Sequence, residues 1–244
     1  MTAMSNAPAA LVQPGRRWLM WLIPLGGLIT LAGYFGPWID HPAAGLVVTG
    51  LDLPEYMKFL SSVRNGTLSL WRQGFYLPLV TVSLAWSLSA FRRELGYGWI
   101  VRILLLVGAA VAALNLLPPA WTPSLLHTPE FRGQTLVMLG SLGVALVSPF
   151  AALLPRQFTG ALLGLLAAWS MWTPLHSFLT LLPDISQIYN APQQPAWGPY
   201  VMLIGLGGLL AAGVLLLWPR TTISAHQKKE VADHAIGHVD RPAS

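Results

Sequence analysis

Few residues in this 244-residue sequence combine the types and the spacing that chemistry requires. His176 and Asn115 are the clearest polar residues within long apolar runs. A polar or ionisable side chain in apolar surroundings is costly, so a residue of this kind is a candidate for function. We therefore interpret His176 and Asn115 as candidate polar lining of a cavity. For His176 the favoured alternative is a structural histidine, since Pro174 frees a nearby carbonyl that the imidazole can bond.

No other set of residues completes a catalytic or metal-binding pattern. The sequence has no cysteine, which removes disulfides, thiol catalysis and cysteine-ligated metals. His234 and His238 have helical i, i+4 spacing near the C-terminus, but no carboxylate or cysteine completes a site around them, so a solvated tail is expected. Asp52 and Glu55 are explained by helix capping. We expect no catalytic residue, no cofactor, no metal and no enzymatic activity.

Six apolar stretches determine the predicted fold class. Hydrophobic residues make up 54% of the chain and charged residues only 9%, which is too little polar surface to cover a soluble globule. About 20 helical residues cross a ~30 Å hydrocarbon core, and continuous rather than alternating runs favour helices over a barrel. The prediction is an all-α, polytopic transmembrane helix bundle with six spans. These spans are residues 18–38, 75–91, 99–117, 135–154, 158–182 and 198–218.

The distribution of Lys and Arg predicts the orientation of the bundle. Of the 14 such residues, ten fall on the side of the N-terminus and four on the opposite side. Because cytoplasmic loops carry the excess of basic residues, both termini are expected in the cytoplasm. Residues 1–17 would form a cytoplasmic segment, residues 18–218 the transmembrane domain, and residues 219–244 a disordered cytoplasmic tail. The net charge of +5 is then a topogenic signal, and the expected partner is the lipid bilayer of an inner membrane, not nucleic acid.

The connection after the first span contains a predicted short amphipathic helix. Asp52 is placed to cap this helix, with Pro54 in its first turn and Glu55 three residues on. Apolar residues between Leu53 and Val63 recur on one face. A packed connector is the favoured interpretation, and a lid or docking element is the alternative. In the next outer connection, Thr128 and the residues after it predict the start of another helix.

Two stripes of small residues predict close helix packing. Gly160, Gly164 and Ala168 recur at small-xxx-small spacing on the fifth apolar run, and Gly207 and Gly208 provide a similar face on the sixth. Small residues let helices in lipid approach closely. Core packing within the bundle is favoured over a homo-oligomer or a partner membrane subunit.

Three arginines follow the even-numbered apolar runs at a constant interval. Arg92, Arg156 and Arg220 are 64 residues apart, and each stands just beyond the end of its run. This spacing is consistent with three duplicated hairpins related by an axis along the membrane normal. Chance matching of Leu-rich and Gly-rich segments is the alternative.

One catalytic family can be compared with this sequence residue by residue. Six helices, a large first outer connection and the pair Trp71-Arg72 resemble rhomboid-type intramembrane proteases. That resemblance implies a serine in a Gly-x-Ser-Gly turn on helix four and a histidine on helix six. Here Ser141 stands in the order Gly140-Ser141-Leu142-Gly143, and the sixth run has no histidine. Without a base, the serine has no activation, so we reject this function.

The first outer connection carries a second resemblance. The segment FGPWIDHPAAGLVVTGLDLPEY is similar to one in a group of uncharacterised bacterial multi-pass inner-membrane proteins. That resemblance implies a bacterial inner-membrane location and no activity. Size and helix number are also similar to membrane subunits of type-2 ATP-binding-cassette exporters. The expected function is a transport-associated, permease-like membrane subunit. The alternatives are a structural or assembly subunit of a larger membrane complex and, third, a membrane-embedded enzyme or sensor.

Overall fold

The computed structural model describes residues 19–39, 47–118 and 121–218. The cytoplasmic segment and the disordered tail predicted from the sequence, including His234, His238 and Arg220, lie outside the described residues. Within these ranges the chain is mostly helical. The helices are α1 (Leu19–Phe35), α2 (Leu53–Tyr56), α3 (Ser61–Arg64), α4 (Leu77–Ser89), α5 (Trp99–Leu114), α6 (Pro123–Leu126), α7 (Pro129–Leu146), α8 (Ser148–Ala151), α9 (Arg156–Ile188) and α10 (Trp197–Leu217).

Helix α4 lies at the centre of the bundle. It packs against α1, α5, α7 and α9, and every one of its residues except Leu84 is buried. A short helix that is apolar on all sides has no face to present to solvent, so it belongs inside. Thr81 and Trp86 of α4 bond to neighbouring helices, whereas the Ser87 and Ser89 hydroxyls donate to carbonyls of α4 itself. The Thr81 and Ser170 hydroxyls lie 2.6 Å apart, and Trp86 donates from Nε1 to the Ile23 carbonyl at 3.1 Å.

Helices α1 and α10 run antiparallel and pack backbone against backbone. A Cβ atom added at Gly33 would overlap the backbone of Met202, and one added at Gly205 would overlap Thr30. A side chain at either position would therefore push the helices apart. Gly26 lies seven residues, or about two helical turns, before Gly33. A Cβ atom added at Gly26 would lie 3.1 Å from the carbonyl oxygen of Gly205. We call this contact, formed by Gly26 and Gly33 of α1 with Gly198 and Gly205 of α10, the glycine seam.

The prediction of six membrane spans is wrong. Among the described residues, only α9 and α10 are long and apolar enough to cross a membrane. Helices α1, α4 and α5 have 17, 13 and 16 residues, so at 1.5 Å per residue they reach only about 20–26 Å. Helix α7 has 18 residues, but its first two turns carry Glu130, Arg132 and Gln134. Apolar composition alone did not show where each helix begins and ends.

Helices α9 and α10 indicate that the protein associates with a membrane. A central helix of a soluble protein can be equally long and apolar, but it is mostly buried. Here only 33% of the apolar window of α9 and 39% of that of α10 is buried inside the protein. Helix α9 has 33 residues, a length of about 50 Å, and continues through Pro183 beyond the predicted end at residue 182.

The first connection folds as a cap over one end of the bundle. Two short antiparallel strands, β1 (Pro37–Ile39) and β2 (Val48–Thr49), precede α2, and 3₁₀ turns cover Met57–Phe59 and Arg72–Tyr76. The second of these turns leads directly into α4. Ile39 also forms a bridge with Pro195, which ties the cap to the connection before α10.

The predicted amphipathic helix of this connection is interrupted. It is divided into α2, a 3₁₀ turn and α3, because Leu60 is extended, with φ −71° and ψ 132°. Its apolar face is nevertheless buried at Leu53, Met57 and Leu60. Asp52 does not cap α2 through its side chain. Its carboxylate instead accepts hydrogen bonds from the backbone N–H and the hydroxyl of Thr49, at 2.9 and 2.6 Å.

Candidate functional site

Charged side chains at the cap end of the bundle converge on Glu130. Its Oε1 lies 2.5 Å from Lys58 Nζ and 2.7 Å from Arg72 Nη1. Lys58 also pairs with Glu55 at 2.6 Å, and both cations lie over the ring of Phe131. We call these five residues the Glu130 cluster. It joins two parts of the cap to the first turn of α7, so the cap is held against the bundle by charge as well as by apolar burial.

The electrostatics of the Glu130 cluster point to a structural role. The hydrogen bonds from Lys58 and Arg72 hold the pKa of the Glu130 carboxyl below its usual range. A general acid or base that works near neutral pH needs the opposite shift for a carboxyl group. The carboxylate therefore stays ionised and acts as an acceptor that clamps the cap.

A second tie joins the cap to α9. The Ser62 hydroxyl donates to the carboxylate of Asp184. The Tyr56 and Tyr189 side chains are hydrogen-bonded to each other, and burial is the main reason why the pKa of Tyr56 is raised. The part of α9 that continues past Pro183 thus rises beside the cap and supports it.

The opposite end of the bundle carries an open groove lined by two arginines. The groove measures about 560 Å³ and lies between the α4–α5 connection and the segment around α8. The guanidinium of Arg102 lies 5.3 Å from the centre of the Phe91 ring, and its Nε donates to the Tyr97 carbonyl at 3.0 Å. The groove is lined by Phe91, Arg93, Arg102, Pro149, Ala152 and Leu153. We call it the arginine groove.

Arg92 fixes the two walls of the arginine groove to each other. Its side chain is 1% exposed and donates from Nη2 to the Leu154 carbonyl at 3.1 Å and to the Thr159 hydroxyl. Arg156 makes a similar contact further along the chain, from Nη2 to the Leu215 carbonyl at 2.7 Å. The carbonyl acceptor of Arg156 lies in the last turn of α10, where partial negative charge accumulates, whereas the carbonyl acceptor of Arg92 lies in the connection just before α9.

The contacts described for His176 and Asn115 are each with a residue of their own helix. Asn115 follows the last residue of α5 and donates from Nδ2 back to the Val111 carbonyl at 2.8 Å. His176 is exposed on α9, where its ring stacks on Trp172 with centroids 5.5 Å apart. Neither residue lines the arginine groove. Their interpretation as lining of one cavity stays a prediction.

The predicted packing glycines have different environments. Gly160 faces α10 closely, since an added Cβ would lie 2.8 Å from the Gly213 carbonyl oxygen. A Cβ added at Gly164 would meet only the Leu210 side chain, at 3.8 Å. A Cβ added at Gly213, however, would lie 2.7 Å from the Gly164 nitrogen.

The other members of the two stripes pack less closely. Ala168 is exposed. A Cβ on Gly207 would meet nothing within 4 Å, and one on Gly208 would reach only the Gly26 Cα at 3.7 Å. On α10 the close contacts fall instead at Gly198, Gly205 and Gly213.

Comparisons with known proteins add no assignment to this geometry. Neither protein-family models, nor curated proteins, nor solved structures give a match to this chain. In the part of the chain that the structure describes, no group of three His, Asp or Glu side chains is placed to hold a metal ion.

Sequence reasoning missed both charged ends of the bundle as sites. The sequence assigns Glu130 only to a helix start and Arg93 only to the basic residues that set the orientation, and it assigns Arg102 to those residues and to a side chain that snorkels to the membrane interface. The partners of Glu130 lie 72 and 58 residues away in the chain, and nothing in the local pattern predicts such pairs. A signal was present for the glycine seam. Gly26 and Gly33 have the same seven-residue interval as Gly198 and Gly205, which puts each pair on one helix face.

Proposed function

We propose that this protein is a structural or assembly subunit of a larger membrane complex and not a permease. The observation that carries the proposal is the burial of α4, which fills the centre of the bundle. A permease needs a hydrated path through its centre during the transport cycle, whereas a subunit that holds partners needs a rigid body. Thr81, Ser83 and Ser87 are the polar residues nearest the middle of α4, and all three are 0% exposed.

The proposal places the protein in the inner membrane through α9 and α10. Residues around Arg156 and Trp218 would lie on the cytoplasmic side, where basic residues are in excess, and the connection between the two helices on the other. Both termini would then be cytoplasmic. Exposed apolar side chains on α10 support immersion in lipid: Ile204 is 67% exposed and Val214 is 47% exposed.

An aromatic face on α9 is the proposed contact with the partner. Trp169 stacks on Trp71 of the cap with centroids 5.5 Å apart, and Trp172 stacks on His176. Trp169 is 52% exposed and Trp172 is 69% exposed. Aromatic side chains are enriched in protein interfaces, where they contribute large apolar area at low entropic cost.

Accessibility of the centre tests the proposal. The chain has no cysteine, so Ser83→Cys provides a single reporter. In sealed vesicles and in detergent, this variant should stay unreactive to a water-soluble thiol reagent over hours, while exposed Ser124→Cys reacts completely. A permease that alternates between two states would expose its centre within that time. Steady labelling of Ser83→Cys in the folded protein would overturn the structural role.

The size of the extracted complex tests the partner contact. Native mass spectrometry after mild extraction should give a particle larger than one 26.4 kDa chain. Trp169→Ala with Trp172→Ala should reduce the particle toward a single chain, while Trp99→Ala, an exposed tryptophan on α5, should not. A single chain from wild type would contradict the proposal.

A further inference from the structure

The arginine groove differs from the Glu130 cluster in having uncompensated positive charge. Within the described ranges, no carboxylate pairs with Arg93 or Arg102. The nearest acid in the sequence is Glu94, and its carboxylate lies 3.7 Å from Arg92. At the cap end, by contrast, Lys58 and Arg72 are balanced by the two carboxylates of Glu55 and Glu130. Two arginines without acids attract an anion, and a guanidinium suits phosphate oxygens in particular.

Arg102 is held in a fixed position for such a ligand. Its Nε is occupied by the Tyr97 carbonyl, and its plane rests near the Phe91 ring. In the part of the chain that is described, its two terminal nitrogens bond to no protein group. The position of Tyr97 is itself fixed, because its hydroxyl donates to the Met20 carbonyl at 2.7 Å. An arginine held in this way loses little entropy when it binds an anion.

The other border of the groove is apolar and exposed. Leu153 lines the groove and is 82% exposed, and Phe150 next to it is 71% exposed. Trp99, one turn before Arg102, is 72% exposed. A free inorganic anion makes no favourable contact with apolar side chains of this kind. An amphiphile, with a charged head and a hydrocarbon chain, matches both parts of the surface.

We propose that the arginine groove binds the phosphate head group of an anionic phospholipid, with an acyl chain along Leu153 and Phe150. Arg93 and Arg102 hold the phosphate oxygens. The brace made by Arg92 keeps the two walls of the groove together, so the site exists before the lipid binds. The inference uses the membrane location of the proposed function but not the structural-subunit role, which the Ser83→Cys experiment tests separately.

Thermal unfolding of the full-length protein in a nonionic detergent tests the site. Dioleoylphosphatidylglycerol should raise the melting temperature at concentrations where dioleoylphosphatidylcholine, which has the same acyl chains, does not. Each arginine removed should weaken the apparent affinity for the anionic lipid about fivefold. The variants are Arg93→Gln, whose side chain is exposed, and Arg102→Gln. Arg132→Gln, which removes an exposed arginine at the cap end, is the matched control and should keep the full response.

The source of the phosphate is tested in the same assay. Inorganic phosphate at the lipid's concentration should leave the melting temperature unchanged. Equal shifts from the two lipids, or an undiminished shift in Arg93→Gln, would overturn the site, and an equal shift from inorganic phosphate would overturn the lipid as its occupant. Arg93→Gln is sufficient for this decision even if Arg102→Gln fails to fold.

Discussion

At the scale of single residues, Glu130 is the acceptor on which the cap depends. Its carboxylate receives hydrogen bonds from Lys58 and Arg72, which lie in different segments of the first connection. Because the side chain is half exposed, water screens these ion pairs and their contribution to stability is modest. The cluster sets the position of the cap more than it sets the stability of the protein.

Glu130→Gln should lower stability at neutral pH by about 1 kcal/mol or less. A carboxyl whose pKa is depressed by folding stabilises the protein above its unfolded pKa of about 4.3, and that stabilisation is lost as the pH falls through the lower folded value. The difference in melting temperature between wild type and variant should therefore be present at pH 7 and vanish in acid. A difference that stays constant down to pH 3 would show that the ion pairs do not cause it.

Leu60 is a second residue whose role is testable by comparison with its neighbour. Leu60 of the cap is fully buried, whereas Phe59 beside it is 74% exposed. Leu60→Asp places a carboxylate without a partner in apolar surroundings, which should cost at least about 3 kcal/mol. Cleavage by trypsin after Arg64, which is adjacent to neither substitution, should then become faster in Leu60→Asp and stay at the wild-type rate in Phe59→Asp. Equal rates in the two variants would mean that the cap does not pack through Leu60.

At the scale of elements, the glycine seam shows which small residues pack and which do not. Sequence reasoning placed Gly207 and Gly208 at the packing face of α10, but the seam uses Gly198 and Gly205. In a helix rich in glycine, composition does not tell which face meets a neighbour. Only the matching intervals on both partner helices do so.

Gly205→Ala and Gly207→Ala form a matched pair on one helix. The methyl group at residue 205 would overlap Thr30 of α1, so overpacking should cost about 1–3 kcal/mol. At residue 207 there is open space, and alanine should be neutral or slightly stabilising because of its higher helix propensity. Thermal unfolding in detergent measures both. If both variants melt at the same temperature, α1 and α10 do not meet through residue 205.

At the scale of the whole molecule, the prediction to check is that α9 crosses the membrane. Single cysteines at Gln157 and Gln194, both exposed, stand near the start of α9 and beyond its end. In sealed vesicles an impermeant thiol reagent should label the two from opposite sides. Labelling of both from the same side would mean that α9 lies along the surface.

Part of this architecture could be predicted from the sequence. Helix α7 begins at Pro129, as the pattern at Thr128 predicts, and helices do predominate. The number of spans was overestimated, because apolar residues continue through turns and 3₁₀ segments where a helix has already ended. The apolar run predicted over 75–91 contains only the 13 helical residues of α4. Hydropathy indicates whether a segment is stable in apolar surroundings, but it does not show at which residues the helical hydrogen bonds begin and end.

The candidate sites were harder to predict, for a different reason. Asp52 has the residue type and spacing of a cap, yet its carboxylate turns back to Thr49 because β2 presents two donors there. The pairs at Glu130 and the walls of the arginine groove join segments that are distant in the chain. Single residues indicated the chemistry that was available, and only the fold decided which of them meet.

The contacts of Arg92 and Arg156 also have a consequence for biosynthesis. Arg92 donates to the carbonyl of residue 154, and Arg156 donates to that of residue 215. Each hydrogen bond can therefore form only after about 60 further residues have been synthesised. At about 5–20 residues per second, the ribosome supplies that partner about 3–12 s later. Until then these two carbonyls have not been synthesised, and a charged guanidinium favours the hydrated surface. The contact of Arg92 would therefore form before that of Arg156, in the order in which translation supplies the two acceptors.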